Sequence, residues 1–369
     1  MLQKVRYNFF SLLSALPSLN TFKQEAIRLH LGHNKIIGWD GRYPVRSLMI
    51  PGESSPVFIK AAARLYNSNR FGIRYPCVAT LSLTCNCDAD CAHCTAYGLS
   101  ENEMTTEQWK KAIADSIELG VFTFIFSGGE PLLRKDICEI ISAVDPQRSI
   151  ALLYTNGSQL EKWLPELKKA GLKRIAVSID FAEEARHDEQ RRIPGLWRTA
   201  VSGLRAAKKM GFLVGVSTFA SIDRLQSGDL ENVLRFAARE KINEITIYDA
   251  LPSGRLKDRT DLKKSNKVYE AELRALIQKW WIDASVPGVW WYGNLRSINN
   301  SGCSGGQTMF NISPGGNLRP CDFCRETVGS LLEEDLSSLW FKLHELSLLH
   351  RKQSMDCWLY QEGGMDDSR

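Results

Sequence analysis

The sequence predicts an α/β fold in which six βα units build a parallel sheet, as either a partial (βα)6 barrel or an open doubly wound sheet. After residue 75, short apolar or β-branched runs alternate with longer, charged amphipathic stretches, which is the pattern of repeated βα units. Several of those stretches end in glycine, the residue that most often closes a helix. Polar motifs directly follow the apolar runs, and in both architectures the chemistry gathers at the carboxyl ends of the strands.

The predicted strands read, in chain order, CVATLSLT, FTFIFSGG, IALLYTNG, RIAVSIDF, LVGVSTFA and EITIYDALP. The helices between them include TTEQWKKAIADSIELG, LEKWLPELKKAG, LWRTAVSGLRAAKKMG and LENVLRFAAREK. A longer helix, SNKVYEAELRALIQKWWIDAS, follows the last unit. We therefore predict an N-terminal helical extension over residues 1–74, the barrel over residues 75–260 and a small C-terminal α+β module over residues 261–369.

Composition and charge narrow the class of protein. The chain has 369 residues, of which 44% are hydrophobic and 24% charged, with a net charge of +5. Its basic residues are scattered, so nucleic acid is not indicated, whereas an anionic small molecule or a membrane surface would suit the charge. The N-terminal stretch lacks a clear cleavage site and is too short to span a bilayer. We expect a cytoplasmic protein, and clustered thiols in the reducing cytosol usually bind metal.

Four cysteines crowd the stretch CNCDADCAHC at the end of the first predicted strand. Cys87, Cys91 and Cys94 have C-x3-C-x2-C spacing. Three thiolates on one loop can each hold one iron of a 4Fe–4S cluster and leave the fourth iron open to a substrate or cofactor. A structural zinc site is the alternative, with Cys85 or His93 as its fourth ligand.

With the next strands included, the chain resembles the radical S-adenosylmethionine (SAM) superfamily. The motifs CDADCAHC, FSGGEP, LYTNGS and VSIDFAEEARHDEQRRIPG occur in that order between residues 75 and 260. The resemblance implies that Cys87, Cys91 and Cys94 hold a 4Fe–4S cluster that binds SAM, with Cys85 as the spare thiol. One position departs from the pattern, because His93 stands where such families usually place an aromatic residue over the adenine.

The resemblance also assigns residues to SAM, beginning with the GGEP motif. Gly128 and Gly129 would let the backbone approach closely, with carbonyls that accept from the SAM ammonium. Glu130 would add a charge-assisted hydrogen bond and Pro131 would stiffen the turn. A tight βα turn without a ligand remains the alternative for this motif.

The later strand ends supply the other candidate SAM-binding residues. Thr155 and Asn156 are expected near the ribose or the neighbouring backbone, and Ser178 matches a polar SAM-contacting position. Ser217 is a further candidate on the fifth strand. Arg192 would meet the SAM carboxylate, unless it is simply an exposed arginine.

A second cysteine group follows near the C-terminus: Cys303, Cys321, Cys324 and Cys357. The segment MFNISPGGNLRPC predicts a hairpin with a Pro-Gly-Gly turn, and four cysteines around it suit a closed 4Fe–4S cluster or a structural zinc. The pieces CSGG, ISPGGNLRPC and GSLLEEDLSSLW resemble the SPASM and Twitch modules of radical SAM enzymes. A full SPASM pattern needs seven cysteines, so four imply one auxiliary iron–sulfur cluster, a 4Fe–4S cluster if all four bind. If Cys357 does not bind, one auxiliary iron is open to substrate.

The function implied is reductive cleavage of SAM to a 5′-deoxyadenosyl radical, which abstracts hydrogen from a C–H bond. The electron would come from an external donor such as a flavodoxin or ferredoxin, and net oxidation or functionalisation of a small molecule is the expected result. The tryptophan segments KWW and VWWYGN, together with YNFFSLLSALPSL, favour a hydrophobic substrate of lipid, isoprenoid or tetrapyrrole type. They also allow peripheral membrane contact.

Two other functions stay open. The first is a maturase that cross-links or epimerises a ribosomal precursor peptide. Many such enzymes carry a leader-binding winged helix, and the first 70 residues do not read as its βββααα pattern, which favours the small molecule. The second is a non-catalytic electron carrier or a zinc-stabilised scaffold.

Overall fold

The computed structural model describes residues 35–71, 75–262, 267–282, 286–295, 303–353 and 357–360. The stretch YNFFSLLSALPSL, which the sequence predicts as a helix, lies outside these residues. None of the helices in the described ranges is long and apolar enough to cross a bilayer. The α-helices are Pro56–Phe71, Thr106–Leu119, Ile137–Ser142, Leu160–Lys169, Glu184–Arg191, Leu196–Lys209, Ile222–Gln226, Asp229–Arg239, Lys267–Ile282 and Leu336–Gln353.

The strands form a small hairpin and one large sheet. They are β1 (Gly38–Asp40), β2 (Tyr43–Val45), β3 (Val78–Ser82), β4 (Thr123–Ser127), β5 (Ile150–Thr155), β6 (Arg174–Ser178), β7 (Leu213–Ala220), β8 (Glu244–Asp249), β9 (Gly288–Trp291), β10 (Met309–Ile312) and β11 (Leu318–Arg319). The β1–β2 hairpin is antiparallel and lies in the region predicted to be helical. That region is therefore not purely helical.

The large sheet has the strand order β11-β10-β3-β4-β5-β6-β7-β8-β9. Every neighbouring pair is parallel except β10 and β11. A doubly wound sheet reverses its strand order at a switch point, whereas β3 to β9 follow the chain without a reversal. Right-handed crossovers in one direction put the connecting helices on one face. The predicted partial barrel is confirmed, and the doubly wound alternative is wrong.

The C-terminal region adds strands to both edges of the barrel sheet. The segment MFNISPGGNLRPC forms the predicted hairpin of β10 and β11, and β10 also pairs in parallel with β3. Strand β9 is an unpredicted addition beside β8, and its Trp290 and Trp291 are only 8% and 4% exposed. These two tryptophans therefore belong to the core. The sheet runs across the proposed boundary at residue 260, and the domain limits remain a prediction.

Capping residues define both ends of the helix Thr106–Leu119. Thr105 and Gln108 form a reciprocal capping box at the start of the helix Thr106–Leu119, which satisfies amides that lack a partner within the helix. Gly120 ends it with φ +122°, a backbone angle that side-chain-bearing residues rarely adopt. The helix buries Trp109 and Ile113 in the core between helices and sheet.

The segment 45–50 closes the barrel at the amino ends of its strands. Glu244, the first residue of β8, accepts hydrogen bonds from the Ser47 hydroxyl and the Leu48 amide, both at 3.2 Å. Arg174, the first residue of β6, donates to the carbonyls of Leu48 at 2.8 Å and Ile50 at 2.6 Å. Buried charged groups need such partners. With this end filled, the space for a ligand lies at the carboxyl ends.

Candidate functional site

The first cysteine loop, residues 84–95, follows β3 and packs against the GGEP turn after β4. The Gly129 amide donates to the Thr84 carbonyl at 2.7 Å, and the Glu130 amide donates to the Asn86 carbonyl at 2.8 Å. A Cβ atom on Gly129 would lie 2.1 Å from the Asn86 carbonyl oxygen, far inside contact distance. Gly129 is therefore needed to let the loop approach the turn, whatever it does toward SAM.

Replacing Gly129 with alanine is expected to displace the first cysteine loop and reduce SAM cleavage by about 100-fold, the cost of an ångström-scale misplacement. The iron content assigned to the second cysteine group should not change. Gly171→Ala is the control, because its added Cβ would meet no atom within 4 Å; with a φ of +86° at Gly171, it reports the cost of a strained backbone without a clash against the loop. Measured 5′-deoxyadenosine formation equal in both variants would contradict this role of Gly129.

Glu130 connects the ends of β4 and β5. Its carboxylate is buried and accepts hydrogen bonds from the Thr155 hydroxyl at 2.7 Å, the Asn156 amide at 2.7 Å and the Leu132 amide at 3.0 Å. Burial raises the pKa of Glu130 to about 7, although the three donors oppose the shift. Pro131 begins the short 3-10 helix that follows. The Glu130 and Thr155 side chains therefore make their hydrogen bonds within the protein.

Asn156 also holds the first cysteine loop. Its side-chain amide donates to Asp88 at 2.7 Å, and the Ser158 hydroxyl donates to the other oxygen of the same carboxylate at 2.6 Å. Asp88 follows Cys87 directly. The polar end of β5 thus fixes the cysteine loop on the barrel.

The carboxyl end of the helix Glu184–Arg191 supports the other side of the loop. The amides of Asp90 and Ala92 donate to the carbonyls of Arg191 and Gln190 at 3.3 and 3.0 Å. Arg192 ends the helix in the left-handed region with φ 57° and forms an exposed ion pair with Asp90 at 2.6 Å. Its proposed contact with the SAM carboxylate remains a prediction, and its observed partner is the loop.

A cavity of about 890 Å³, including the part open to solvent, lies at the carboxyl ends of the strands. Of the predicted SAM-binding residues, Ser178 and Ser217 line it, and their hydroxyls lie 3.2 Å apart on adjacent strands. The other predicted residues surround the cysteine loop instead. They are Gly128, Gly129, Glu130, Pro131, Thr155, Asn156 and Arg192.

Sequence reasoning placed Asp180 beside Ser178 at the end of the same strand, but missed its buried partner Arg191 in the cavity wall beside Cys91. Arg191 forms an ion pair with Asp180 at 2.7 Å, and both side chains are buried. Burial alone would raise the pKa of Asp180, but the attraction and hydrogen bond of Arg191, together with the nearby His93 and His187, outweigh it and hold the pKa well below its usual range. The second Asp180 oxygen is buried without a hydrogen-bond partner among the described residues. It is placed to accept from a bound ligand.

His93 and Phe219 form an aromatic part of the same wall. Their rings stack with centroids 4.2 Å apart, and the Gln190 side-chain amide contacts His93 Nδ1 at 2.8 Å. Burial lowers the pKa of His93 to about 4, so the ring is neutral at pH 7. A neutral ring packed on Phe219 can present an apolar face to an adenine.

A buried histidine beneath this wall should make the stability depend on pH. His187 Nδ1 accepts from the Asp180 amide at 3.1 Å, and burial lowers the pKa of His187 to about 4. The unfolded chain, with an ordinary histidine pKa near 6.5, takes up the proton first as pH falls. His187 therefore opposes folding increasingly between pH 6.5 and 4, by up to about 1.4 kcal/mol per pH unit. Thermal melting of a His187→Gln variant should show a smaller loss of stability than the unmodified protein as the pH falls from 6.5 to 4. Equal dependence of stability on pH in the two proteins would contradict this role of His187.

The second cysteine group lines a smaller cavity next to the main one. Cys303, Cys324 and Cys357 are buried, Cys321 is half-buried, and all four line this space. The neighbouring Cys357 thiol and burial raise the pKa of Cys303 well above its usual range. In the described part of the chain no group of three or more His, Cys, Asp or Glu side chains is arranged to hold a single metal ion.

The two cavities share one wall. It consists of side chains that line both spaces: Leu251, Tyr292, Met309 and Phe323. The loop after β8 also contacts both cysteine groups, because Arg255 donates its amide to the Cys94 carbonyl at 2.9 Å and Ser253 donates its hydroxyl to the Phe323 carbonyl at 2.5 Å. A ligand in the main cavity would thus lie between the two cysteine groups.

Similarity to known proteins agrees with this geometry. Residues 81–247 match the family model described as the radical SAM superfamily. The chain carries a radical SAM domain. It is 26% identical over 296 residues to an AdoMet-dependent heme synthase of Methanosarcina barkeri, covering 72% of this chain and 82% of that protein. It is 27% identical over 299 residues to an Fe-coproporphyrin III synthase of the same organism, covering 73% of this chain and 74% of that protein.

The fold is shared with a solved structure. The structure of Streptococcus suis SuiB bound to precursor peptide SuiA superposes with a TM-score of 0.61 at 17% identity, covering 78% of this chain and 70% of SuiB. A radical SAM domain uses a 4Fe–4S cluster and SAM. The residues present fit both groups, because three thiols lie on one loop and the adjoining cavity offers the unpaired oxygen of Asp180.

Proposed function

We propose that this radical SAM enzyme abstracts hydrogen from a C–H bond of a small molecule and that the outcome is net oxidation or functionalisation. When bound, the cluster and SAM supply the reductive bond cleavage and the hydrogen-abstracting radical. The protein supplies orientation and excludes water.

Cys87, Cys91 and Cys94 would hold the cluster, and their loop is fixed on three sides. The Gly129 backbone, Asp88 with Asn156, and the end of the helix Glu184–Arg191 each bind it. Ser178, Ser217, Arg191 and His93 line the part of the cavity beside the loop. These polar groups suit the amino-acid and nucleoside parts of SAM. Cys85 would be a spare thiol. Its backbone amide donates a hydrogen bond to the Glu103 carboxylate at 2.9 Å.

The observation that carries the oxidation proposal is the wall common to both cavities. A substrate beyond the SAM region would touch Tyr292 and Phe323, whose other sides face the second cysteine group. A cluster there can take up the electron left after hydrogen abstraction. Cys303, Cys321, Cys324 and Cys357 would be its ligands, and the position of Cys357 in the same cavity wall as the other three supports including it.

A small molecule suits the lining of the site. The cavity wall is largely apolar and aromatic, with a few polar groups such as Ser178, Ser217 and Asp180, as is usual for small-molecule sites. The similarity to a heme synthase supports the same class of substrate.

Anaerobic reconstitution tests the proposal. We expect about eight irons per chain, four for each cluster, and formation of methionine and 5′-deoxyadenosine when dithionite is added with SAM. Zinc in place of iron, with no SAM cleavage, would support a scaffold instead. Turnover of a precursor peptide would favour the maturase.

A further inference from the structure

Three aromatic rings line the main cavity together. Tyr248 lies 4.9 Å from Tyr292 and 6.0 Å from Phe323 between ring centroids, and Tyr292 lies 5.8 Å from Phe323. The rings come from β8, from the turn after β9 and from the loop after β11. We call Tyr248, Tyr292 and Phe323 the aromatic wall.

Asp322 adds a carboxylate beside the aromatic wall. It precedes Phe323 and lines the main cavity. Asp322 is only partly buried, and its carboxylate accepts a hydrogen bond from its own backbone amide. Among the described residues no side chain pairs with this carboxylate, so its remaining acceptor positions face the cavity and are open to a ligand.

The balance of charge in the cavity indicates the sign of that ligand. Arg191 is the only arginine or lysine among the described residues that line it, and Arg191 is paired with Asp180 beside the first cysteine loop. The second carboxylate on the substrate side, Asp249, accepts hydrogen bonds from Tyr269 and Trp291 at 2.7 and 2.8 Å. The substrate side is therefore acidic and aromatic, which favours a cation and disfavours a carboxylate or phosphate.

We propose that the substrate presents a protonated amine to Asp322 and packs its adjoining carbon atoms against the aromatic wall; this inference rests on the proposed function and names the substrate class. A charge-assisted hydrogen bond between an ammonium group and a carboxylate is stronger than a neutral one, and aromatic faces attract ammonium groups.

Three probes with the same ring and different head groups test the proposal: 2-phenylethylamine, 2-phenylethanol and 3-phenylpropionate. Binding to the reconstituted enzyme with SAM is measured by calorimetry. We expect the amine to bind at least about tenfold more tightly than the carboxylate, with the alcohol between them. Equal binding of the amine and the carboxylate, or tighter binding of the carboxylate, would overturn the proposal. This comparison uses the unmodified enzyme and needs no variant.

Asp322→Asn locates the interaction. It should weaken binding of the amine by about tenfold and leave binding of the alcohol nearly unchanged. Asp258→Asn is the matched control, since it removes the same charge from an exposed position outside the cavity. If both variants behave like the unmodified enzyme, Asp322 is not the partner of the amine.

Affinity for SAM separates the amine site from the cofactor site. SAM is itself a cation, so Asp322→Asn must leave the dissociation constant of SAM within about threefold of the unmodified value, about the scatter of a neutral change. A parallel loss of SAM and amine affinity would overturn the proposal by assigning Asp322 to SAM. An enzyme that prefers the amine but never cleaves SAM contradicts the proposed function alone. Cleavage of SAM without any amine preference contradicts this inference alone.

Discussion

Replacing Cys91 with alanine is expected to abolish SAM cleavage and to remove about four irons per chain. Cys91 is buried beside Arg191 and Asp180, at the point where the first cysteine loop meets the cavity. With two thiols left, the loop cannot hold the cluster, while the second cysteine group keeps its own iron. Iron analysis and 5′-deoxyadenosine formation measure the two effects separately.

Cys85→Ala is the control for that variant, because it removes a thiol of the same stretch that is not assigned to the cluster. We expect it to keep both the iron content and the rate of SAM cleavage. The assignment of ligands would be contradicted if Cys85→Ala lost the cluster and Cys91→Ala kept it.

Replacing Arg191 with methionine is expected to destabilise the protein by about 3–5 kcal/mol, because it leaves Asp180 as an unpaired buried charge. The variant should also bind SAM more weakly, since Asp180 loses the partner that orients it at the cavity. The midpoint of thermal unfolding and the dissociation constant of SAM are the measurements.

The neighbouring arginine provides a matched comparison. Arg192 and its partner Asp90 are about half exposed, and exposed ion pairs contribute about 0–1 kcal/mol. Arg192→Met should therefore change stability by no more than this. A larger effect of Arg192→Met than of Arg191→Met, on stability or on SAM affinity, would restore Arg192 as the residue that meets SAM.

Much of the barrel can be predicted from the sequence because its periodicity is local. The predicted strand LVGVSTFA is β7 from its first residue to its last, and the predicted helix after the first strand has the glycine end that the pattern indicated. Strand β9 was missed because its buried Trp290 and Trp291 resemble an aromatic surface segment when read without a neighbour. Its pairing with β8 is a long-range contact that no local pattern records.

The candidate site, like the barrel, has parts that the sequence predicts and parts that it cannot show. The spacing of Cys87, Cys91 and Cys94 and the resemblance to radical SAM enzymes together indicated that these thiols form one group. The same resemblance, with their place at strand ends, indicated Ser178 and Ser217. Sequence cannot tell which of two successive arginines points inward, because the choice depends on the last turn of the helix Glu184–Arg191 and the left-handed residue that ends it. Nor can it show that the Gly129 backbone and the Asn156 side chain bind the cysteine loop.

Electron–nuclear double resonance tests the central claim that three thiolates leave one iron open to SAM. The reduced enzyme would be compared with unlabelled SAM and with SAM carrying ¹⁵N in its amino group. We predict a coupling between the cluster and the labelled nitrogen. Identical spectra, together with loss of the cluster in Cys85→Ala or His93→Ala, would show that the protein fills the fourth position and would contradict the account.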